Sequence, residues 1–107
     1  MRREVYVFNE PCDMRKSFDG LYGLVRELNP LSGSVFLFVS KDRKRAKSLS
    51  WDGTGLVILM KRLEKGCFAD IWARRSMSEG ELSLFFAGSR AVKKVLVPPD
   101  TTGEFAP

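Results

Sequence analysis

The chain has 107 residues, of which 44% are apolar, and both values are typical of one small globular domain. Neither a membrane span of roughly 20 apolar residues nor the apolar core of a signal peptide is present, so we expect a cytoplasmic protein. Histidine is absent, which excludes histidine-dependent nucleophilic catalysis and imidazole metal sites. Cys12 and Cys67 are too few for a disulfide framework, and we expect two free thiols.

The positive charge is concentrated in the middle of the chain. The formal net charge is +5. Residues 41–75 hold ten basic and four acidic residues, whereas the rest of the chain holds eight and nine. A local excess of this kind favours an anionic partner, and nucleic acid is the most common one.

The N-terminal third predicts a strand, a helix and a second strand. Residues 4–8 are rich in β-branched and aromatic side chains, which predicts a strand. Asp13 is placed to cap a helix whose apolar stripe runs over residues 14–28, and Asn29-Pro30 ends it. Residues 35–39 are apolar on both faces, as is typical of a central strand.

The middle of the chain predicts a basic hairpin and then an ambiguous apolar segment. Residues 41–47 form the basic turn, and residues 46–51 form the returning strand. Residues 55–65 fit a helix that Thr54 caps and Gly66 ends, although the continuous apolar run at 56–60 also fits a strand. We favour the helix because the start and stop signals agree.

The C-terminal third predicts short elements. Residues 67–72 resemble a strand, and Ser78 caps a short helix with Glu81 as its capping-box partner and Gly88 at its end. Residues 95–97 predict an edge strand that Pro98-Pro99 stops. We expect one domain over residues 1–100 and a frayed tail at 101–107.

This order of elements predicts an α+β fold. We expect a small antiparallel sheet with its helices packed mainly on one face. The ferredoxin-like βαββαβ arrangement, followed by a C-terminal helix, is the specific candidate.

Several sequence blocks resemble a family of bacterial mobile elements. They are the segment 13–21 (DMRKSFDGL), the segment 32–38 (SGSVFLF), the segment 51–56 (WDGTGL) and the segment 61–68 (KRLEKGCF). In this order they resemble the accessory proteins of IS66-family insertion sequences, which are TnpB-type products of the second reading frame. The resemblance implies an accessory role in transposition beside a separate transposase, and it supplies no catalytic residues.

The basic turn is the first candidate site. It carries five cations and one acid within seven residues. At a hairpin tip such side chains project into solvent and reach phosphates, although a turn kept soluble by its charge gives the same pattern. The cations are Lys41, Arg43, Lys44, Arg45 and Lys47.

Two further basic pairs are secondary candidates. Arg15 and Lys16 are predicted to lie in the first turn of a helix, where an anion is favoured, although simple exposure also explains them. Lys61 and Arg62 lie in the same charged region as the basic turn. We expect all of these cations to contribute to DNA binding.

Aromatic pairs along the predicted strands are a third feature. The period of two places Tyr6 with Phe8, Phe36 with Phe38, and Phe68 with Trp72. Such pairs resemble the stacking platforms of RNA-binding sheets. We favour the alternative in which these rings form core beneath the helix that carries Leu82, Phe85 and Phe86.

Nothing in the sequence indicates catalysis or a cofactor. The segment 51–55 lacks the spacing and lysine of a phosphate-binding loop, so we interpret it as a turn. The carboxylates that a metal-dependent nuclease would need are dispersed along the chain. They are Asp13, Asp19, Asp52 and Asp70.

We therefore predict a non-catalytic protein without cofactor or metal that binds DNA, with the ends of the element as the expected target. The alternative is an adaptor that binds the transposase or another element-encoded protein through apolar residues such as Trp72, Phe85 and Phe86. The sequence predicts no membrane partner and leaves the oligomeric state open.

Overall fold

The chain folds around a five-stranded mixed sheet. The computed structural model describes residues 3–88 and, as backbone only, residues 90–92 and 95–97. Two 3-10 turns, Arg26–Leu28 and Pro30–Ser32, follow the first helix. In chain order the elements are β1 (Val5–Val7), α1 (Phe18–Val25), β2 (Val35–Val39), β3 (Arg45–Trp51), β4 (Leu56–Arg62), β5 (Ser76–Met77), α2 (Glu79–Phe86), β6 (Arg90–Val92) and β7 (Val95–Val97).

The strands of the sheet are arranged in the order β4-β3-β2-β1-β5, and β6 and β7 form a separate pair. β1 runs parallel to β2 because α1 returns the chain to the same end of the sheet. The other neighbours in the five-stranded sheet are antiparallel. The predicted α+β class is confirmed, but the sheet is mixed rather than antiparallel.

The two helices cover opposite faces of the sheet. Successive residues of a strand point to opposite faces, and β2 is buried on both. Leu21 of α1 belongs to one buried cluster, with Phe36 and Phe38. Phe85 of α2 belongs to the other, with Val35 and Leu37. The prediction that the helices share one face is therefore wrong.

The prediction of a helix at residues 55–65 is wrong, because this segment forms the strand β4. The signals at its ends are real turn signals that serve a hairpin. Asp52 N–H donates to the Gly55 carbonyl, and the Asp52 carboxylate accepts from the Thr54 and Gly55 N–H groups. Gly53 has a φ of 101°, which favours glycine. Because residues 55–65 are not helical, the ferredoxin-like order of elements is not formed.

Two other predicted elements differ from the structure. Residues 67–72 form no strand, although Phe68 and Ile71 are buried. The first helix begins at Phe18 instead of Met14. Asp13 does not cap it, because its carboxylate accepts from the N–H and the guanidinium of Arg15 in a local turn.

Other predictions are confirmed. The strands within 4–8, 35–39 and 46–51 are present, and the strand at 95–97 pairs with β6. Ser78 caps α2 in a capping box with Glu81. Both cysteines are free thiols, and burial raises the pKa of Cys12. The predicted tail at 101–107 lies outside the described residues.

Neither described helix could cross a membrane, since each has only eight residues. Among the described residues no three cysteine, aspartate or glutamate side chains come together in a way that could hold a metal ion.

Candidate nucleic-acid interface

The turn between β2 and β3 is a basic loop held by hydrogen bonds among its own polar groups. Ser40 donates its hydroxyl hydrogen to the Asp42 carboxylate over 2.7 Å, and the Lys44 N–H donates to the same oxygen over 3.0 Å. These two hydrogen bonds lower the pKa of Asp42. Asp42 therefore organises the loop as an anion, while Lys41 and Lys44 on either side of it remain exposed.

Lys41, Lys44 and Arg45 are the exposed members of the basic turn. None of them forms a salt bridge with a carboxylate in the part of the chain that the structure describes. Lys41 and Arg45 line a cleft of about 550 Å³ between the turn and the Cys12-Asp13-Met14 segment. The prediction that the hairpin projects cations into solvent is confirmed for these three residues.

The other two members of the basic turn have structural roles. Lys47 is only 8% exposed, and its ammonium group donates to the Lys16 carbonyl over 2.7 Å. Arg43 has a left-handed φ of 57°, and its guanidinium donates to the Phe68 carbonyl. Lys47 is thus a correction to the predicted set, because a lysine buried within the sheet does not reach a phosphate.

The same contact of Lys47 brings the N-terminal basic pair next to the hairpin. Lys16 is exposed and free of salt bridges among the described residues, while Arg15 pairs with Asp13 over 2.7 Å. This pair holds the pKa of Asp13 well below its usual range. Neither cation lies in the first turn of α1, which begins at Phe18, so their predicted placement in that turn is wrong.

Arg62, in the edge strand β4, adds a further cation next to the basic turn. In the register of β3 and β4, Arg45 lies directly opposite Arg62, so both side chains share the face of α1. Arg62 also pairs with Glu64 over 2.9 Å. Lys61 points to the opposite face, where its ammonium group donates to the Phe86 carbonyl at the C-terminal end of α2.

The structure thus assembles six of the nine predicted cations at one corner of the sheet. Three carboxylates accompany them, those of Asp13, Asp42 and Glu64, which leaves a formal excess of three positive charges. We call this the basic surface. It consists of Arg15, Lys16, Lys41, Lys44, Arg45 and Arg62.

The aromatic residues mainly form core, as we favoured. Tyr6 stacks on Phe36 and Phe8 lies against Phe38, with both centroid distances 5.5 Å. The helix above these four rings is α1, however, and not the predicted C-terminal helix. That helix covers Phe68, which stacks on Phe85 at 4.7 Å.

A groove beside α1 was missed by the sequence analysis. It encloses about 900 Å³. Tyr6 and Phe8 form part of its floor, and Leu24 and Leu28 of the α1 region form its wall. These two leucines are 37% and 52% exposed. The sequence analysis placed Leu28 on the apolar stripe of the predicted helix, but α1 ends at Val25 and Leu28 lies in the 3-10 turn that follows it.

The fold and its surface define a small α+β protein with a basic corner and without a metal-binding cluster among the described residues. The comparisons with known proteins identify its class. Residues 3–95 match the family described as IS66 Orf2 like protein, and the chain belongs to this family. It is therefore related to the accessory proteins of IS66 insertion sequences, as the sequence blocks had indicated, and this is not a family with a known catalytic activity.

Two relatives occur in Sinorhizobium fredii. The uncharacterized protein y4jC is 33% identical over 90 residues, which is 78% of this chain and 77% of y4jC. The uncharacterized protein y4hO is 32% identical over 92 residues, which is 78% of each chain. No solved structure matches the chain.

Proposed function

We propose that this chain is a non-catalytic DNA-binding accessory protein of transposition and that DNA contacts its basic surface. The observation that carries the proposal is the facing pair Arg45 and Arg62 in β3 and β4. Like charges directly opposite each other destabilise a sheet. A phosphate placed between the two guanidinium groups would convert this repulsion into attraction.

Three more exposed cations, Lys16, Lys41 and Lys44, extend this pair along the corner of the sheet. Lys16, Lys41, Lys44 and Arg45 form no salt bridge with the described carboxylates, so a phosphate need not displace an internal partner. Phosphate contacts of this kind supply affinity that depends little on base sequence. The proposal is therefore one of backbone binding.

The test is a binding titration by fluorescence anisotropy at low salt. The triple variant Lys41→Ala/Lys44→Ala/Arg45→Ala is compared with the parent on duplexes from the ends of the element and on random duplexes. We expect the variant to bind at least about a hundredfold more weakly, since each phosphate contact carries a counterion-release contribution. Equal affinity of variant and parent would show that DNA does not use this surface.

A control variant separates local charge from net charge. Arg3→Ala/Arg26→Ala/Arg75→Ala removes the same number of exposed cations outside the basic surface. We expect it to bind within a few fold of the parent. Incubation of the parent with DNA and Mg²⁺ should leave the DNA intact, and cleavage lost on changing Asp52 or Asp19 would instead identify a nuclease.

The groove beside α1 favours a second candidate function, that of an adaptor for the transposase. Its wall exposes Leu24 and Leu28, whereas Phe85 is fully buried and Trp72 and Phe86 pack against the core. A partner would thus contact the groove and not the aromatic residues first considered. Leu24→Asp/Leu28→Asp should then abolish co-purification with the transposase in high salt with nuclease present, and should leave DNA binding unchanged.

A further inference from the structure

The outer edge of β4 carries a row of backbone groups without described partners. The hydrogen bonds at the two ends of the β3–β4 hairpin, Asp52 N–H to Gly55 and Leu63 N–H to Lys44, fix which residues bond to β3. Antiparallel pairs alternate between bonded and non-bonded. In the register between these ends, residues 57, 59 and 61 bond to β3, so Leu56, Ile58, Met60 and Arg62 point their N–H and C=O groups outward.

The side chains of this edge are unusually apolar for a surface. Val57 is 44% exposed, Leu59 57% and Met60 46%. Native edge strands are usually protected by charges, proline or bulges. In β4 the charges stand only at one end, at Lys61 and Arg62, which leaves five consecutive uncharged residues in the edge strand of the sheet.

We propose that β4 pairs with β4 of a second copy of this chain in an antiparallel arrangement, which joins the two sheets into one. This inference does not depend on the proposed DNA binding. The position of the charges argues for a copy in this orientation. A parallel copy would place Lys61 beside its own equivalent, whereas an antiparallel copy places the basic end of each strand against the uncharged end of the other.

The alternation of outward-pointing and inward-pointing backbone groups along β4 selects one register of pairing. Outward-pointing residues must face each other, and the register centred on Leu59 is the one that uses the whole strand. It pairs Leu56 with Arg62 of the other copy and Ile58 with Met60, which gives about eight hydrogen bonds. A shift of the centre to Ile58 or Met60 loses about two of them. The two Leu59 side chains then meet across the twofold axis at a non-bonded position.

This pairing would also enlarge the basic surface. A twofold axis perpendicular to the sheet keeps both α1 faces on the same side. The two Arg62 residues would lie roughly 20 Å apart along the strands, six residues at about 3.3 Å each. The dimer would thus present both basic surfaces to one polyanion.

Disulfide trapping tests the register. In a Cys67→Ser background, where the remaining Cys12 is buried, Leu59→Cys should form a cross-linked dimer under mild oxidation. The Cα atoms of a non-bonded antiparallel pair are about 4.5 Å apart, which a disulfide can span. Val57→Cys is the matched control, since it lies on the same face but about 13 Å from its equivalent. Equal cross-linking of the two variants would overturn the register.

Sedimentation equilibrium tests the dimer itself. We expect the parent to be a dimer and Leu59→Lys to weaken it by about a hundredfold or more, because each copy loses a buried leucine contact and gains a facing charge. Leu31→Lys, at a site 44% exposed, should remain dimeric. A monomeric parent, an assembly larger than two, or a dimer that Leu59→Lys leaves intact would overturn the proposal, and a monomer that pairs only with another protein would assign the edge to that partner.

Discussion

The salt dependence of DNA binding gives the sharpest test of the basic surface. Four exposed cations that form no salt bridge with described carboxylates, Lys16, Lys41, Lys44 and Arg45, imply about four phosphate contacts per copy. With a slope of about −0.9 per contact, affinity for duplex DNA should fall about 150-fold between 50 and 200 mM salt. Lys41→Ala/Arg45→Ala removes two contacts, so its affinity should fall only about 12-fold over the same range.

The assay is a fluorescence anisotropy titration at four or five salt concentrations, with the slope of log K against log salt as the readout. Arg26→Ala/Arg75→Ala is the control, since it removes two exposed cations outside the basic surface and should keep the slope of the parent. A slope that drops equally in both variants would mean that binding follows net charge and not this surface. A slope that is unchanged in Lys41→Ala/Arg45→Ala would refute the contacts themselves.

Three predictions concern stability, each measured by urea denaturation. Ser78→Ala should cost about 1 kcal/mol, because the Ser78 hydroxyl accepts from the Glu81 N–H, and Ser78→Asp should keep most of that stability. Gly53→Ala should cost about 1–2 kcal/mol, because a φ of 101° strains any residue with a Cβ, and an unchanged midpoint would show that the turn relaxes. The guanidinium of Arg74 lowers the pKa of Glu81 below its ordinary value of 4.5, so the stabilisation from Glu81 should be full above that pH and be lost as the pH falls through the lowered pKa. Glu81→Gln should reduce this acid sensitivity, and an identical pH profile of the variant would contradict the assignment.

Patterns that depend on neighbours in the chain were predicted well. The capping box of α2 joins residues three positions apart, and the buried strand at residues 35–39 is apolar on both faces because a helix covers each side of it. The basic hairpin also followed from local signals. Its exposed cations were correctly placed because a turn between two strands projects into solvent.

Patterns that depend on contacts between distant parts of the chain were not predicted well. The residues at the two ends of the segment 55–65 are ones that suit the start and end of a helix. Its backbone hydrogen bonds nevertheless go to β3, and only this pairing makes the segment a strand. The fate of individual cations was equally hidden. Lys47 and Arg43 resemble Lys41 and Lys44 in the sequence, but carbonyl groups 31 and 25 residues away bind them.

The sequence by itself determined the fold class, the free thiols, the charge concentrated in the middle of the chain and the resemblance to IS66 accessory proteins. All of these depend on composition, short-range spacing or motif blocks. The tertiary structure alone decided which cations share a surface, that the helices cover opposite faces, and that β4 is the edge strand of the five-stranded sheet. The physical reason is that these features arise from pairing and burial between segments far apart in the chain, where local propensity is overridden.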